Sequence, residues 1–165
     1  MQVLDAHRVA RPNLQMRSGI GHLDEVNRYI VEDHCRNPRN VDPLSDYNAE
    51  ANIDNPFCGD EVTVQIRVEE DRVSAICVHG TGCAITQASA SMMAEAIEGK
   101  RCSEIVESAT IMRRMLTEGQ EPDADEAEAI GDAISLRDVS RFPVRIKCAL
   151  LAWATLEDAI ESLEG

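Results

Sequence analysis

The feature that most narrows the fold is "EVTVQIRV", in which Val62, Val64, Ile66 and Val68 alternate with Glu61, Thr63, Gln65 and Arg67. A period of two with one apolar face is the pattern of a half-buried strand. The polar turn "EEDR" and the run "VSAICVHG" follow at once, so the pair predicts an antiparallel hairpin. Because "VSAICVHG" is apolar on both faces, it is expected to be the more interior strand. Beyond it the period changes to that of helices, and strands followed by helices indicate an α+β domain rather than a βαβ one.

In "GTGCAITQASASMMAEAIEG", Ile85, Ala88, Met92, Met93, Ala96 and Ile97 recur at helical spacing and Gly99 closes the run. Cys83 is therefore placed at a helix N-terminus, and Met92 and Met93 are read as core filling. Another helix is predicted over "SEIVESATIMRRMLTE", with Ser103 as its N-cap and Gly119 past its end. The last, "PVRIKCALLAWATLEDAIESLE", starts at Pro143 and carries a stripe of Ile146, Ala149, Leu150, Trp153, Leu156, Ile160 and Leu163. At about 100° per residue, Cys148 falls well off that stripe, so core packing does not account for its thiol.

Upstream, "HLDEVNRYIVEDHC" predicts a helix facing inward through Leu23, Val26 and Ile30, ended by the prolines of "RNPRNVDP". From there to Asp60 the chain is read as loop, which puts Cys58 on a loop tip. Residues 1–20 lack periodicity and are taken as a flexible extension of a single domain spanning 21–165. The stretch at about 118–136 is rich in acids, and it is read as a solvated insertion with one short helix.

At 165 residues the chain can bury a core without disulfide staples. Its start has no secretory apolar segment, so a reducing, cytoplasmic setting with free or metal-bound thiols is expected. A formal charge of −14 with no basic cluster argues against nucleic-acid binding. "CALLAWA" falls far short of the roughly 18 apolar residues of a membrane span, so no membrane partner is expected.

Most free cysteines are small buried hydrophobes, and Cys77, Cys102 and Cys35 are read that way. Cys58, Cys83 and Cys148 stand apart. Two sit on glycine-containing turns, the third lies off its helix's stripe, and all three can meet at one end of the sheet. A helix N-terminus favours thiolate at Cys83, and Arg145 and Lys147 favour it near Cys148. Asp60 can turn its carboxylate toward the Cys58 sulfur, and three thiolates with one carboxylate make a tetrahedral zinc set. The wide spacing lacks the C-x-x-C signature, so burial remains the competing reading for each thiol. His79 is a reserve ligand beside Cys83, and His34 is read as structural.

"DHCRNPRN", "NPFCGDEVTVQIRV", "GTGCAITQASASMMAEAIEGK" and "FPVRIKCALLAWATLEDAI" closely resemble the U-type iron-sulfur assembly proteins, the family of the NifU N-terminal domain. The likeness runs from about His22 to the C-terminus. "PVRIKCALLAW" and the insertion resemble the SufU branch, whereas the scaffold branch has a histidine where Lys147 stands and an "LPPVK" motif where "RFPVRIK" stands.

The resemblance implies an α+β fold with a short antiparallel sheet of about three strands covered by several helices. It also implies a site of Cys58, Asp60, Cys83 and Cys148. In SufU-like proteins that site binds zinc, and sulfur comes from a pyridoxal-phosphate cysteine desulfurase of the SufS type. Cys58 is then the sulfur acceptor with Arg145 in support, active only together with the desulfurase, and a downstream scaffold or apoprotein is the recipient. A [2Fe-2S] scaffold on the same residues is the alternative, with iron in place of zinc; an inert structural zinc domain is a third reading. The departures from the family pattern are Cys35 for an aromatic residue, Thr86 for serine and the N-terminal extension, and none is expected to touch the implied ligands.

Overall fold

The alternating run forms the middle strand of a three-stranded antiparallel sheet in the computed structural model, which describes residues 23–55 and 59–164. Strand β1 is Ala49–Asn55, β2 is Asp60–Glu69 and β3 is Arg72–Thr81, in the spatial order β1-β2-β3. Val62, Val64 and Ile66 are fully buried on the inner face of β2, and each such side chain contributes about 1.5–3 kcal/mol by leaving water. Glu70 and Asp71 both take positive φ in the two-residue turn between β2 and β3. This is the turn geometry whose twist matches that of a hairpin.

Helices α1 (Glu25–Arg36), α2 (Ala84–Ile97), α3 (Cys102–Thr117), α4 (Ala124–Ile130) and α5 (Pro143–Glu164), with a 3-10 helix at Gly131–Arg141, complete the α+β fold. The long α5 lies across β1 and β2 while α2 packs on β3, so both helices that carry candidate cysteines bear on the same sheet. They are also fastened to each other. The buried Ser89 hydroxyl donates to the Ala149 carbonyl at 2.6 Å, one residue beyond Cys148.

Five expectations are corrected. The stretch read as loop contains β1, whose core-facing positions Ala49, Ala51 and Ile53 are mostly small because α5 packs closely over them. Its Asn and Asp residues have low strand propensity. Strand β3 is at the edge of the sheet and β2 is central. Ile76, Cys77 and Val78 are nonetheless all buried, because other chain segments cover the edge: Val78 N–H donates to the Asn40 carbonyl, and Gly99 and Lys100 pair with Val73.

On α1, Val26 is 68% exposed, and Asn27, Val31 and His34 face inward with Leu23. Here the inward face is partly polar, so apolar spacing misplaces it. Asn27 bonds Asp138, and His34 bonds Ser91 and Asp132 at 2.8 Å each. Ser103 lies inside the first turn of α3, and Arg101 occupies the N-cap.

The acidic stretch also contributes to the core. Asp123 and Glu126 form a capping box at the start of α4, and Ile130, Ala133 and Leu136 are fully buried. The expected N-terminal extension lies outside the described residues.

Candidate metal centre

The first residue of β2 and the residue that starts α2 meet at one end of the sheet. Asp60 opens β2 opposite Asn55, and its carboxylate is 2% exposed. Cys83 is the N-cap of α2, reached from β3 through Gly82. Cys148, on the second turn of α5, is 1% exposed. One ligand atom from each of Asp60, Cys83 and Cys148 lies within 4.8 Å of the other two.

The approach depends on Gly82. A Cβ at this position would sit 2.1 Å from Asp60 Oδ1, and the backbone φ is +139°. Only a residue without a side chain lets the carboxylate pass this close to the chain. Both carboxylate oxygens are held by the start of α2. The Cys83 N–H donates to Oδ1 at 3.2 Å, and the Thr86 hydroxyl donates to Oδ2 at 2.6 Å. Asp60 therefore supplies a carboxylate where the helix leaves its first N–H groups unpaired.

The two thiols share one proton unequally. Cys83 is held down to about 5, first because the Cys148 thiol donates to it, with help from Thr86 at the helix start and against burial and the Asp60 charge. Cys148 is pushed up strongly by the same contact and by burial. The centre thus holds one thiolate and one thiol at neutral pH. The lowered Cys83 value stabilises the folded, metal-free chain between about 5 and the ordinary thiol value of about 8.5 and is lost as pH falls through about 5, while above about 8.5 the raised Cys148 value works against it.

A carboxylate and two sulfurs at this spacing, one already ionised, suit zinc, which takes four thiolate, imidazole or carboxylate ligands. Among the described residues three donors converge. Cys58 lies outside the described residues, two positions before Asp60 in the connection between β1 and β2. The adjacent Gly59 has φ +69°.

Other expectations are sorted by the geometry. Cys148 lies off the predicted stripe and is still buried, because α5 is enclosed on nearly every side: Ala152, Thr155 and Ala159 are buried as well. His79 is turned to Cys77, with Nε2 3.1 Å from Sγ, and is not one of the converging donors. His34, Glu95 and Asp132 form a second donor group, but both His34 nitrogens are engaged and Glu95 pairs with Arg39. That group ties α1, α2 and the 3-10 helix together.

Arg145 is half-buried one turn before Cys148, and among the described residues its guanidinium makes no hydrogen bond or ion pair. Cys77 is buried as expected. No disulfide joins Cys35, Cys77, Cys83 and Cys148.

One departure from the family pattern touches an implied ligand, contrary to expectation, and a second lies beside the centre. Thr86 binds Asp60 directly. Cys35 donates to the carbonyl of Ala84, next to Cys83, and burial pushes its thiol up to about 12. Neither Gly82 nor Thr86 was assigned a role from sequence. The available signals were a glycine immediately before a helix-starting cysteine and a hydroxyl three residues after it.

An antiparallel sheet whose end gathers two cysteines and an aspartate defines a small α+β domain with a candidate thiolate-carboxylate metal site. The chain belongs to the NifU-like N-terminal domain family, which matches residues 27–165. It is 38% identical over 144 residues to the zinc-dependent sulfurtransferase SufU of Bacillus subtilis, covering 87% of this chain and 95% of that protein. It is 36% identical to the iron-sulfur cluster assembly scaffold protein IscU of Streptococcus pyogenes, covering 86% and 87%.

Among solved structures, a protein of Fervidobacterium islandicum described as a candidate iron-sulfur assembly scaffold of the SUF system superposes with a TM-score of 0.71. The identity is 33%, over 79% of this chain and 93% of that one. A NifU-like N-terminal domain from Brucella abortus gives 0.74 at 25% identity, over 82% and 92%.

Proposed function

We propose that this chain is an iron-sulfur cluster assembly protein that acts as a zinc-dependent sulfur acceptor, taking persulfide sulfur from a pyridoxal-phosphate cysteine desulfurase. The observation that carries the reading is the convergence of Asp60, Cys83 and Cys148 within 4.8 Å, with Asp60 two positions after Cys58 along the chain. The likeness to SufU supports it.

Cys58, Asp60, Cys83 and Cys148 would hold the metal. When bound, zinc keeps thiols deprotonated and does no redox chemistry of its own. The Cys58 thiolate attacks the outer sulfur of the desulfurase persulfide. The sulfur-sulfur bond of the donor breaks, its cysteine leaves as a thiolate, and Cys58 becomes the persulfide. Asp60, Cys83 and Cys148 sit on a strand end and two helices packed on one sheet, and they hold the centre together while Cys58 carries the sulfur. Arg145, one helical turn from Cys148, can meet the negative charge of the incoming persulfide. Sulfur then passes to a scaffold or apoprotein, in a cytoplasm reducing enough to keep these thiols unpaired.

A second reading is favoured by the likeness to IscU: a scaffold that assembles a [2Fe-2S] cluster on the same residues. Lys147, standing where scaffold relatives have histidine, weighs against it. Among the described residues no helix is long and apolar enough to cross a membrane.

Adding the zinc-loaded protein to a cysteine desulfurase with free cysteine and a thiol reductant is expected to raise sulfide release severalfold, and chelating the zinc to remove the rise. Sulfide release that is the same with and without the protein would refute the reading. A visible chromophore with labile sulfide, in protein purified without air, would favour the scaffold.

A further inference from the structure

Asp60 is the only carboxylate among the three converging donors, and its hold on the centre runs through a residue with no metal-binding chemistry of its own. Thr86 lies on the first turn of α2 and is fully buried. Its Oγ1 is 2.6 Å from Asp60 Oδ2 and 3.5 Å from Cys83 Sγ. A hydroxyl has one proton, so the proton goes to the shorter contact with the carboxylate oxygen. Cys83, at the start of α2, also touches Asp60, through its N–H on Oδ1 at 3.2 Å and its Sγ 4.0 Å from Oδ2. Hydroxyl-to-carboxylate bonds of about 2.5–2.7 Å belong to the strong, charge-assisted class.

We propose that Thr86 is the positioning residue of the centre: its hydroxyl pins Asp60 Oδ2 so that the carboxylate stays aimed at the metal beside Cys83 and Cys148. This inference rests on the metal-binding reading above. Each carboxylate oxygen can accept more than one contact, so the Thr86 bond leaves a lone pair on Asp60 for the metal. Without the hydroxyl, the buried carboxylate keeps only the longer Cys83 contacts at the start of α2. It is then freer to rotate.

Two substitutions separate this role from simple packing. Thr86→Val keeps the volume and removes the hydroxyl, while Thr86→Ser keeps the hydroxyl and removes a methyl. Zinc affinity, measured by competition with a chromophoric chelator, is expected to fall about 10–100-fold in Thr86→Val, the usual effect of losing an outer hydrogen-bond partner. Thr86→Ser is expected to stay close to wild type. The visible absorption of Co2+-loaded protein should shift in Thr86→Val and not in Thr86→Ser.

Far-UV circular dichroism of the metal-free chains checks folding, and Thr86→Ala, with the same expected loss, replaces Thr86→Val if the latter does not fold. Wild-type affinity in the valine variant, or an equal loss in the serine variant, would overturn the role of Thr86 and leave the metal reading intact. A wild-type chain that binds neither zinc nor Co2+ would overturn both.

Discussion

Gly82→Ala is expected to lose zinc affinity by at least about tenfold and to unfold at a lower temperature even without metal. Two costs coincide at this position. The backbone sits at φ +139°, a region that costs residues with a side chain about 1–3 kcal/mol. The new Cβ would also lie 2.1 Å from Asp60 Oδ1 and 2.5 Å from Asp60 Cγ, far inside contact distance. Asp60 has little room to yield, because β1 pairing holds its backbone and Thr86 holds its outer oxygen. Either the carboxylate leaves the centre or the start of α2 moves and takes Cys83 with it. Both outcomes separate donors that must converge. Chelator competition and thermal unfolding of the metal-free chain measure the two effects, and wild-type values in both would show that the close approach is not needed.

Trp153→Ala is expected to cost about 3–5 kcal/mol, the range for removing a large aromatic from a packed core. Trp153 is 1% exposed in the middle of α5, the helix that bears on β1, β2, α2 and α3. Among the described residues its Nε1 has no hydrogen-bond partner, so the loss is one of packing and cavity rather than of a bond. At about 2–4 °C per kcal/mol for a chain of this size, the midpoint should fall on the order of 10 °C. Cys148 is on the same helix, so zinc binding should weaken as the fold loosens; a midpoint within a degree or two of wild type would contradict the assignment of α5 as the core helix.

The hairpin and the helices were legible because each has one strong period. Val62, Val64 and Ile66 are buried as a period of two requires, and α5 begins at Pro143 as expected. What stayed hidden depends on partners distant in sequence. Strand β1 has weak propensity and is held by register with β2 and by α5 above it. The inward face of α1 uses Asn27 and His34, whose partners Asp138, Ser91 and Asp132 lie far along the chain. Two of those partners come from the 3-10 helix and the acidic stretch that leads into it, where alternation of charge with alanine hides the buried Ile130, Ala133 and Leu136.

For the site, the turn before β2 and the glycines before α2 were enough to single out Asp60 and Cys83. Cys148 was singled out by its position off the stripe, although it proves to be buried. The supporting pair, Gly82 and Thr86, left only weak signals, a glycine before the helix-starting cysteine and a hydroxyl three residues after it, and their roles follow from the carboxylate that lies between them.

The central claim is that Cys58 receives sulfur while Asp60, Cys83 and Cys148 keep the metal. It is tested most directly by incubating zinc-loaded protein with a cysteine desulfurase and 35S-labelled cysteine, then locating the label after alkylation under non-reducing conditions. The account predicts a persulfide on the peptide containing Cys58, and in Cys58→Ala loss of the label with most of the zinc retained. Label accepted by Cys58→Ala at the wild-type rate, or found on another cysteine of the wild type, would contradict it.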